Sequence, residues 1–397
     1  MIVRAKVVVT MDGAPIENGA VAISRDRIVD VGKLSDVAKV HAGEEVVDLG
    51  EQAVLPGLIN AHCHLDYTCV RGKIPLQKSF TDWIRAINAE KAKLSADDYV
   101  RSINEGFAEA KRFGTTTIAN LTAFAELVSQ TEAPIRTWWF AELIDVRDPS
   151  RAEEIVELAA EQLKSQEHWG LAPHAPFTAS ANLYRRCGKI GLLLQTHLAE
   201  SREEMSMFRD ADGPLYDFLK EIGRDMSDCG LGTPTATFLQ RAVEGNHPYL
   251  FVHLNELAAG DFDLLKKSKR ECSIVHCPRS HSFFGHSPFQ FQELRELGFN
   301  VCLGTDSLAS NDDLSLFAEM QAFQEEFPDV SPEKIVEMVT ANPARALQQE
   351  KSLGKVAGGF AADLIAIPVT SSKSIFEQIV AFDRAVGWLM VGGRILG

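Results

Sequence analysis

The chain reads as an α/β protein: a (β/α)8 TIM-type barrel with a small β-sandwich domain made from both chain ends. Three observations predict this. Eight short apolar runs alternate with helical patterns through the middle of the sequence, short period-two strands occupy both termini, and six of the eight runs end in His or Asp.

The N-terminal stretches "MIVRAKVVVTM", "GAVAISRDRIVDVG" and "EEVVDLG" alternate apolar and polar residues between Gly and Asp breaks, the pattern of short strands. That texture returns near the C-terminus in "GGFAADLIAIPV" and "AVGWLMVGGRILG". Residues 1–55 and 354–397 are therefore expected to form one small β domain, with residues 56–353 forming the barrel. In order, the eight runs are "AVLPGLINAH", "TTTIANL", "IRTWWFAEL", "HWGLAPHAP", "LLLQTHLAE", "YLFVHLNE", "CSIVHCP" and "NVCLGTDS". Between the third and fourth, "SRAEEIVELAAEQLKSQ" has helical periodicity and a Ser placed to cap it. A doubly wound sheet could also hold eight parallel strands, so the count alone leaves that alternative open.

With 397 residues, 45% of them hydrophobic and 24% charged, the chain can bury a large core and has the make-up of a globular enzyme. A net charge of −15 with no cluster of Lys and Arg argues against nucleic acid as a partner. The start is neither basic nor followed by an apolar h-region, and no run of apolar residues is long enough for a membrane span, so a cytoplasmic location without membrane contact is expected. Seven cysteines at irregular spacings, with no C-x-x-C pair, suggest reduced core thiols.

The strand-end residues decide between the folds. They are His62 and His64 in the first run, His174 in the fourth, His197 in the fifth, His253 in the sixth, His276 in the seventh and Asp306 in the eighth. In a barrel, the C-terminal ends of all the strands converge on one face, which would turn these residues into a ring. Six of the eleven histidines share this position, which turn or core roles taken one at a time do not explain. Neutral imidazoles and one carboxylate can hold a divalent ion with a coordination position open, and such an ion lowers the pKa of its water from ~15.7 to near 7. His62 and His64, two apart in a strand, would face the same side, with Cys63 turned away.

The segments "PGLINAHCHLD", "THLAES", "GTDSLASN" and "GKVAGGFAADLIAI" together resemble the amidohydrolase superfamily, in particular its branch of aromatic deaminases and triazine chlorohydrolases. The resemblance spans nearly the whole chain. It implies one divalent metal per subunit, zinc or iron, held by His62, His64, His197 and Asp306. It implies that Glu200 shuttles protons, that His253 orients water or substrate, and that His174 contacts the substrate ring. Two-metal members of the superfamily bridge their ions with a Lys in the fourth strand; "HWGLAPHAP" has none, which implies a mononuclear site. "SFTDWIRAIN" resembles the deaminase substrate lid, with Phe80 and Trp83 as lid residues. Where some deaminases carry an acid for the ribose hydroxyls, this chain has Thr81, with Asp82 next to it.

Arg279 and Ser307 complete the substrate-contact candidates. Arg279 stands in "HCPRSHSFFGH", where the family often has N-P-x-S-N; it reads either as a contact to an oxygen-rich substituent or as a loop ion pair. His276 and His286 read as structural and loop residues.

The resemblance implies hydrolytic release of ammonia from a small amino-substituted N-heteroaromatic, purine-like, with aminofutalosine or an adenosine derivative first. Metal-bound water would give its proton to Glu200 or Asp306 and then attack an electron-poor ring carbon. The alternatives are a triazine-type chlorohydrolase, a guanine or pterin deaminase, and a non-catalytic scaffold of the same fold. A homodimer is compatible with a barrel of this type.

Overall fold

The computed structural model describes residues 1–242, 247–267, 272–370 and 373–396. At its centre, parallel strands β1 (Leu58–His64), β2 (Thr115–Thr122), β3 (Arg136–Leu143), β4 (Trp169–Pro173), β5 (Leu194–Leu198), β6 (Tyr249–His253) and β7 (Cys272–His276) pair each with the next. The eighth strand, β8, comes in two pieces. Asn300–Leu303 pairs with β7, and Asp306–Ser307 pairs with β1, so one strand changes partner and closes the ring. At the crossing, the Gly304 N–H donates to the His276 carbonyl and the Thr305 N–H to the His62 carbonyl. A Cβ on Gly304 would lie 2.8 Å from the His62 carbonyl oxygen, which is why glycine stands where the two strands meet.

The strands are apolar almost throughout because a parallel barrel buries both of their faces. Ile118, Trp139, Leu171, Phe251 and Ile274 pack with helix residues such as Phe107, Val156 and Leu183. Their sequence neighbours Ala119, Phe140, Ala172, Leu250 and Val275 gather in a separate cluster, as the period of two in a strand requires. The helices between are marked locally. Ala96–Arg112 starts with a reciprocal Ser95–Asp98 capping box and ends on Lys111 and Arg112, which oppose its dipole. Ala181–Ile190 is capped by Ser180 and stops at Gly191, which adopts a φ of +75°.

One expected cap is corrected. The helix of "SRAEEIVELAAEQLKSQ" spans Ala152–Leu163, and Ser150 does not cap it. Pro149 opens a short 3-10 turn first, Asp148 caps that turn by accepting from the Ser150 N–H, and Glu153 and Glu154 supply the negative charge at the helix start.

The termini build two further sheets. Ile2–Arg4, Gly19–Ser24, Arg27–Lys33 and Val46–Asp48 form one of four strands; Val7–Val8, Ile16–Glu17, Gln52–Pro56, Leu364–Pro368, Trp388–Val391 and Arg394–Ile395 form one of six. Val3, Val21, Ile28, Val54, Leu364 and Met390 share the core between them. The run "AVLPGLINAH" is thus two strands: the sandwich strand extends through Pro56, and β1 begins at Leu58.

Gly57 is the joint. A Cβ there would lie 2.1 Å from Thr116 Oγ1 and 2.2 Å from Thr116 Cγ2 on β2. Gly57→Ala is therefore expected to cost about 1–3 kcal/mol. The urea midpoint should fall with an unchanged slope; an unchanged midpoint would show that Thr116 moves aside freely. The Asp363 carbonyl accepts from the Gly57 N–H at 2.9 Å, and its carboxylate meets the Arg136 guanidinium at 3.2 Å, tying sandwich to barrel beside this joint. Among the described residues, no helix is long and apolar enough to cross a membrane.

Candidate active site

Backbone geometry aims the strand-end residues into the barrel mouth. His253 has φ +80°, Asp306 +56° and Ala199, the residue before Glu200, +50°. Non-glycine residues reach the left-handed region only at a cost, and its recurrence at three strand ends of one barrel mouth marks a site where position outweighs local comfort. On β1, His62 and His64 face the same way with ring centroids 4.8 Å apart, while the Cys63 thiol turns toward Asn120 on β2.

The imidazoles form one cluster. The His197 ring lies 5.0 Å from His62, 5.4 Å from His64, 5.3 Å from His253 and 4.8 Å from His174. One ligand-capable atom from each of His62, His64 and His197 falls within 4.8 Å of the others, and so do those of His62, His253 and Asp306. Asp306 Oδ1 lies 3.6 Å from His62 Nε2 and 3.7 Å from His64 Nε2. Its other oxygen accepts from Ser280 Oγ at 2.6 Å.

These residues fit a cation. His62 Nδ1 is occupied by Gln195 Oε1 at 3.2 Å, while its Nε2 is buried with no hydrogen-bond partner. His197 Nδ1 likewise faces the His174 carbonyl at 3.2 Å. Such partners fix the tautomer and leave Nε2 as a lone-pair donor, the usual arrangement of ligating histidines. Burial, and then the neighbouring His62, pushes His64 well below its usual range; burial and His174 take His197 down to about 3. The His64 and His197 rings are therefore neutral near pH 7. Burial pushes the Asp306 carboxyl up, but the close approach of His62, and the attraction of His253, His62 and His64 in their protonated forms, hold it well below the carboxylate range.

Glu200 stands over this cluster, with Oε1 3.5 Å from His253 Nε2. Burial raises its carboxyl well above the usual value, helped by the charges of Asp306 and Glu204. Its own backbone N–H donates to Glu204, which lies in the helix Arg202–Asp210 that follows β5.

Above the cluster is a cavity of about 330 Å³. His64, His174, His197, Glu200, His253, Asp306 and Ser307 lie along it, and Phe80, Trp83, Phe177 and Phe218 supply much of its apolar wall. Phe80 and Trp83 belong to the helix Phe80–Lys91, capped by Ser79, and Trp83 meets Phe284 edge-on at 5.0 Å. Arg279 lies outside the lining. Its guanidinium is held by Asp313 at 2.6 Å and Asp312 at 3.1 Å, so it sits in the loop ion pair. His276 is also outside the cavity, stacked on Phe289 at 3.9 Å, and His281 Nε2 faces the Ser287 carbonyl at 2.8 Å.

Sequence reasoning missed Gln195, Ser280, Tyr67 and Glu142. Gln195 was within reach, since it shares a strand face with His197 two residues on. Glu142 ends the third run as the histidines end theirs, but attention to His and Asp alone passed over it.

A closed (β/α)8 barrel with imidazoles and a carboxylate gathered at one mouth defines the class of barrel enzymes with a candidate cation site at the strand ends. Within that class the chain belongs to the amidohydrolase family, whose model matches residues 53–396. A 5-methylthioadenosine/S-adenosylhomocysteine deaminase of Syntrophobacter fumaroxidans is 31% identical over 380 residues, covering 90% of this chain and 81% of its own. The aminofutalosine deaminase of Helicobacter pylori, in complex with methylthio-coformycin, superposes with a TM-score of 0.88 at 21% identity, covering 100% of this chain and 99% of its own. An adenosine deaminase of Xanthomonas campestris with bound zinc gives 0.83 at 21% identity, covering 99% and 92%. At that identity the two structures establish the fold alone.

Proposed function

We propose that this protein is a hydrolytic deaminase that replaces the amino group of an adenosine-like heteroaromatic with oxygen and releases ammonia. The observation that carries the reading is the buried Glu200 carboxyl poised beside His253 at the floor of a cavity ringed by neutral imidazoles and the ionised Asp306. Family membership and the 31% identical deaminase support it.

His62, His64, His197 and Asp306 would hold one zinc ion. A bound divalent cation supplies Lewis acidity, which brings the pKa of a coordinated water near 7. The chain's own residues handle the protons. Water loses a proton to Glu200 or Asp306, and its oxygen adds to the ring carbon that bears the amino group. Glu200 then passes its proton toward that nitrogen, the C–N bond breaks and ammonia leaves. A carboxyl raised by burial suits both directions of transfer, since it neither holds nor releases the proton too firmly. His253 is placed to orient the attacking oxygen. His174, Trp83 and Ser307 are positioned along the cavity to contact the ring. Ser280 steadies Asp306 from behind. In this reading the catalytic barrel runs from the Gly57 joint to residue 353, and the small β domain is the chain before that joint together with residues 354–397.

The test is a screen of zinc-loaded protein against aminopurine nucleosides, aminopterins, aminopyrimidines and aminotriazines. Ammonia release from an adenosine-type nucleoside is the expected result. Chloride release from chlorotriazines without ammonia would replace this reading, and protein that binds no metal and turns over nothing would leave only a scaffold.

A further inference from the structure

Three carboxylates line the cavity, and the proposed chemistry uses two of them. The third, Glu142, ends β3 with a side chain only 7% exposed. Among the described residues none donates a hydrogen bond to it; the nearest imidazole nitrogen, His174 Nε2, is 3.7 Å away. A carboxylate that is largely enclosed and has no protein donors takes them from water or from a ligand.

Tyr67 is in a similar condition. Its ring stacks on His64 at 5.6 Å and lines the same cavity, yet its hydroxyl is buried with no hydrogen-bond partner. Lys91 Nζ lies 4.6 Å over the Tyr67 ring and lines the cavity too. The chain thus keeps a polar corner with unused hydrogen-bonding capacity in a pocket whose wall is otherwise largely apolar.

The helix over the cavity does not fill this role. Thr81 is fully buried and turned away, its hydroxyl and backbone N–H both given to Glu203. Asp82 pairs with Arg85 and lies outside the lining. Glu142 is then the acid that faces whatever part of the ligand lies away from Glu200 and Asp306. An ammonium group would be repelled by Lys91 in the same corner, whereas uncharged hydroxyls would not. Two adjacent hydroxyls match the two oxygens of one carboxylate, and about 330 Å³ leaves room for an appended sugar beside a heterocycle.

We propose that Glu142, assisted by the Tyr67 hydroxyl, is a specificity-determining residue that accepts the vicinal hydroxyls of a sugar carried by the heteroaromatic ring, so that the site selects a ribonucleoside. This rests on the deaminase reading above.

The experiment compares adenosine with 2′,3′-dideoxyadenosine on zinc-loaded wild type, Glu142→Gln and Tyr67→Phe, by kcat/KM and by calorimetric binding. Wild type is expected to favour the ribonucleoside by roughly ten- to a hundredfold, the size of a hydrogen bond to a charged group. The ratio should fall toward one in Glu142→Gln and partly in Tyr67→Phe, mainly through KM. Because the ratio is taken within each variant, a partial loss of folded protein cancels. A wild-type ratio near one, or a ratio untouched by Glu142→Gln, overturns the proposal while leaving the deaminase reading standing. If neither nucleoside is turned over, the deaminase reading fails, and the binding ratio alone decides: equal binding, or none, overturns the Glu142 assignment as well.

Discussion

Glu200→Gln is expected to lower kcat by roughly 10²–10⁴-fold, the usual contribution of a positioned general acid and base, while bound metal stays stoichiometric. Glutamine keeps the size of the side chain and its reach to His253 Nε2 at 3.5 Å, but it cannot take up the water proton or return one to the leaving nitrogen. The proposed cation ligands are untouched, so metal analysis and thermal stability should match wild type. The pH profile gives a second readout. Burial holds the Glu200 carboxyl well above its ordinary value of 4.5. Below its raised pKa the group is protonated and cannot accept, so the acid limb of kcat/KM should lie above pH 4.5 and should vanish in the variant. Unchanged turnover would remove Glu200 from proton transfer.

The barrel was legible because its signal is repeated. Eight apolar runs each followed by a helical pattern, together with polar strand ends, are hard to produce by another fold, and the sandwich shows in the matching texture of the two termini. Finer points depended on contacts that sequence does not contain. "AVLPGLINAH" looks like one strand, yet it divides at Gly57, where a Cβ would collide with Thr116. Ser150 looked like a cap because the pattern hid the 3-10 turn that Pro149 opens. In the site, the His-x-His pair, the fifth-strand His with Glu200, and Asp306 stood out as motifs. Arg279 did not separate into ligand contact or ion pair until Asp312 and Asp313, more than thirty positions away, were placed beside it. Gln195, Ser280 and Glu142 are ordinary residue types whose meaning comes from what they face.

Asp306→Asn is expected to abolish tight cation binding together with turnover. The residue adopts φ +56°, and Ser280 Oγ holds one of its oxygens at 2.6 Å, so an isosteric amide can occupy the same place. What disappears is the only negative charge in a proposed ligand set otherwise made of imidazoles. Removing even a supporting group around a metal costs 10–100-fold in affinity, so losing a charged ligand should cost about a hundredfold or more.

Thermal unfolding measures this without relying on activity. At a free zinc concentration of 100 times the wild-type Kd, binding stabilises the native state by about 2.7 kcal/mol over chelated protein. For a chain of 397 residues, at about 2.1 cal/mol/K of unfolding entropy per residue, that is a shift of about 3 °C. A hundredfold weaker variant at the same zinc concentration keeps about 0.4 kcal/mol, a shift of about 0.5 °C. A wild-type-sized shift in Asp306→Asn would show that the imidazoles hold the cation without it. If turnover were still lost in that case, Asp306 would act on the proton of the attacking water, and His253, which shares the second group of close ligand atoms with His62, would be the next residue to test as a ligand.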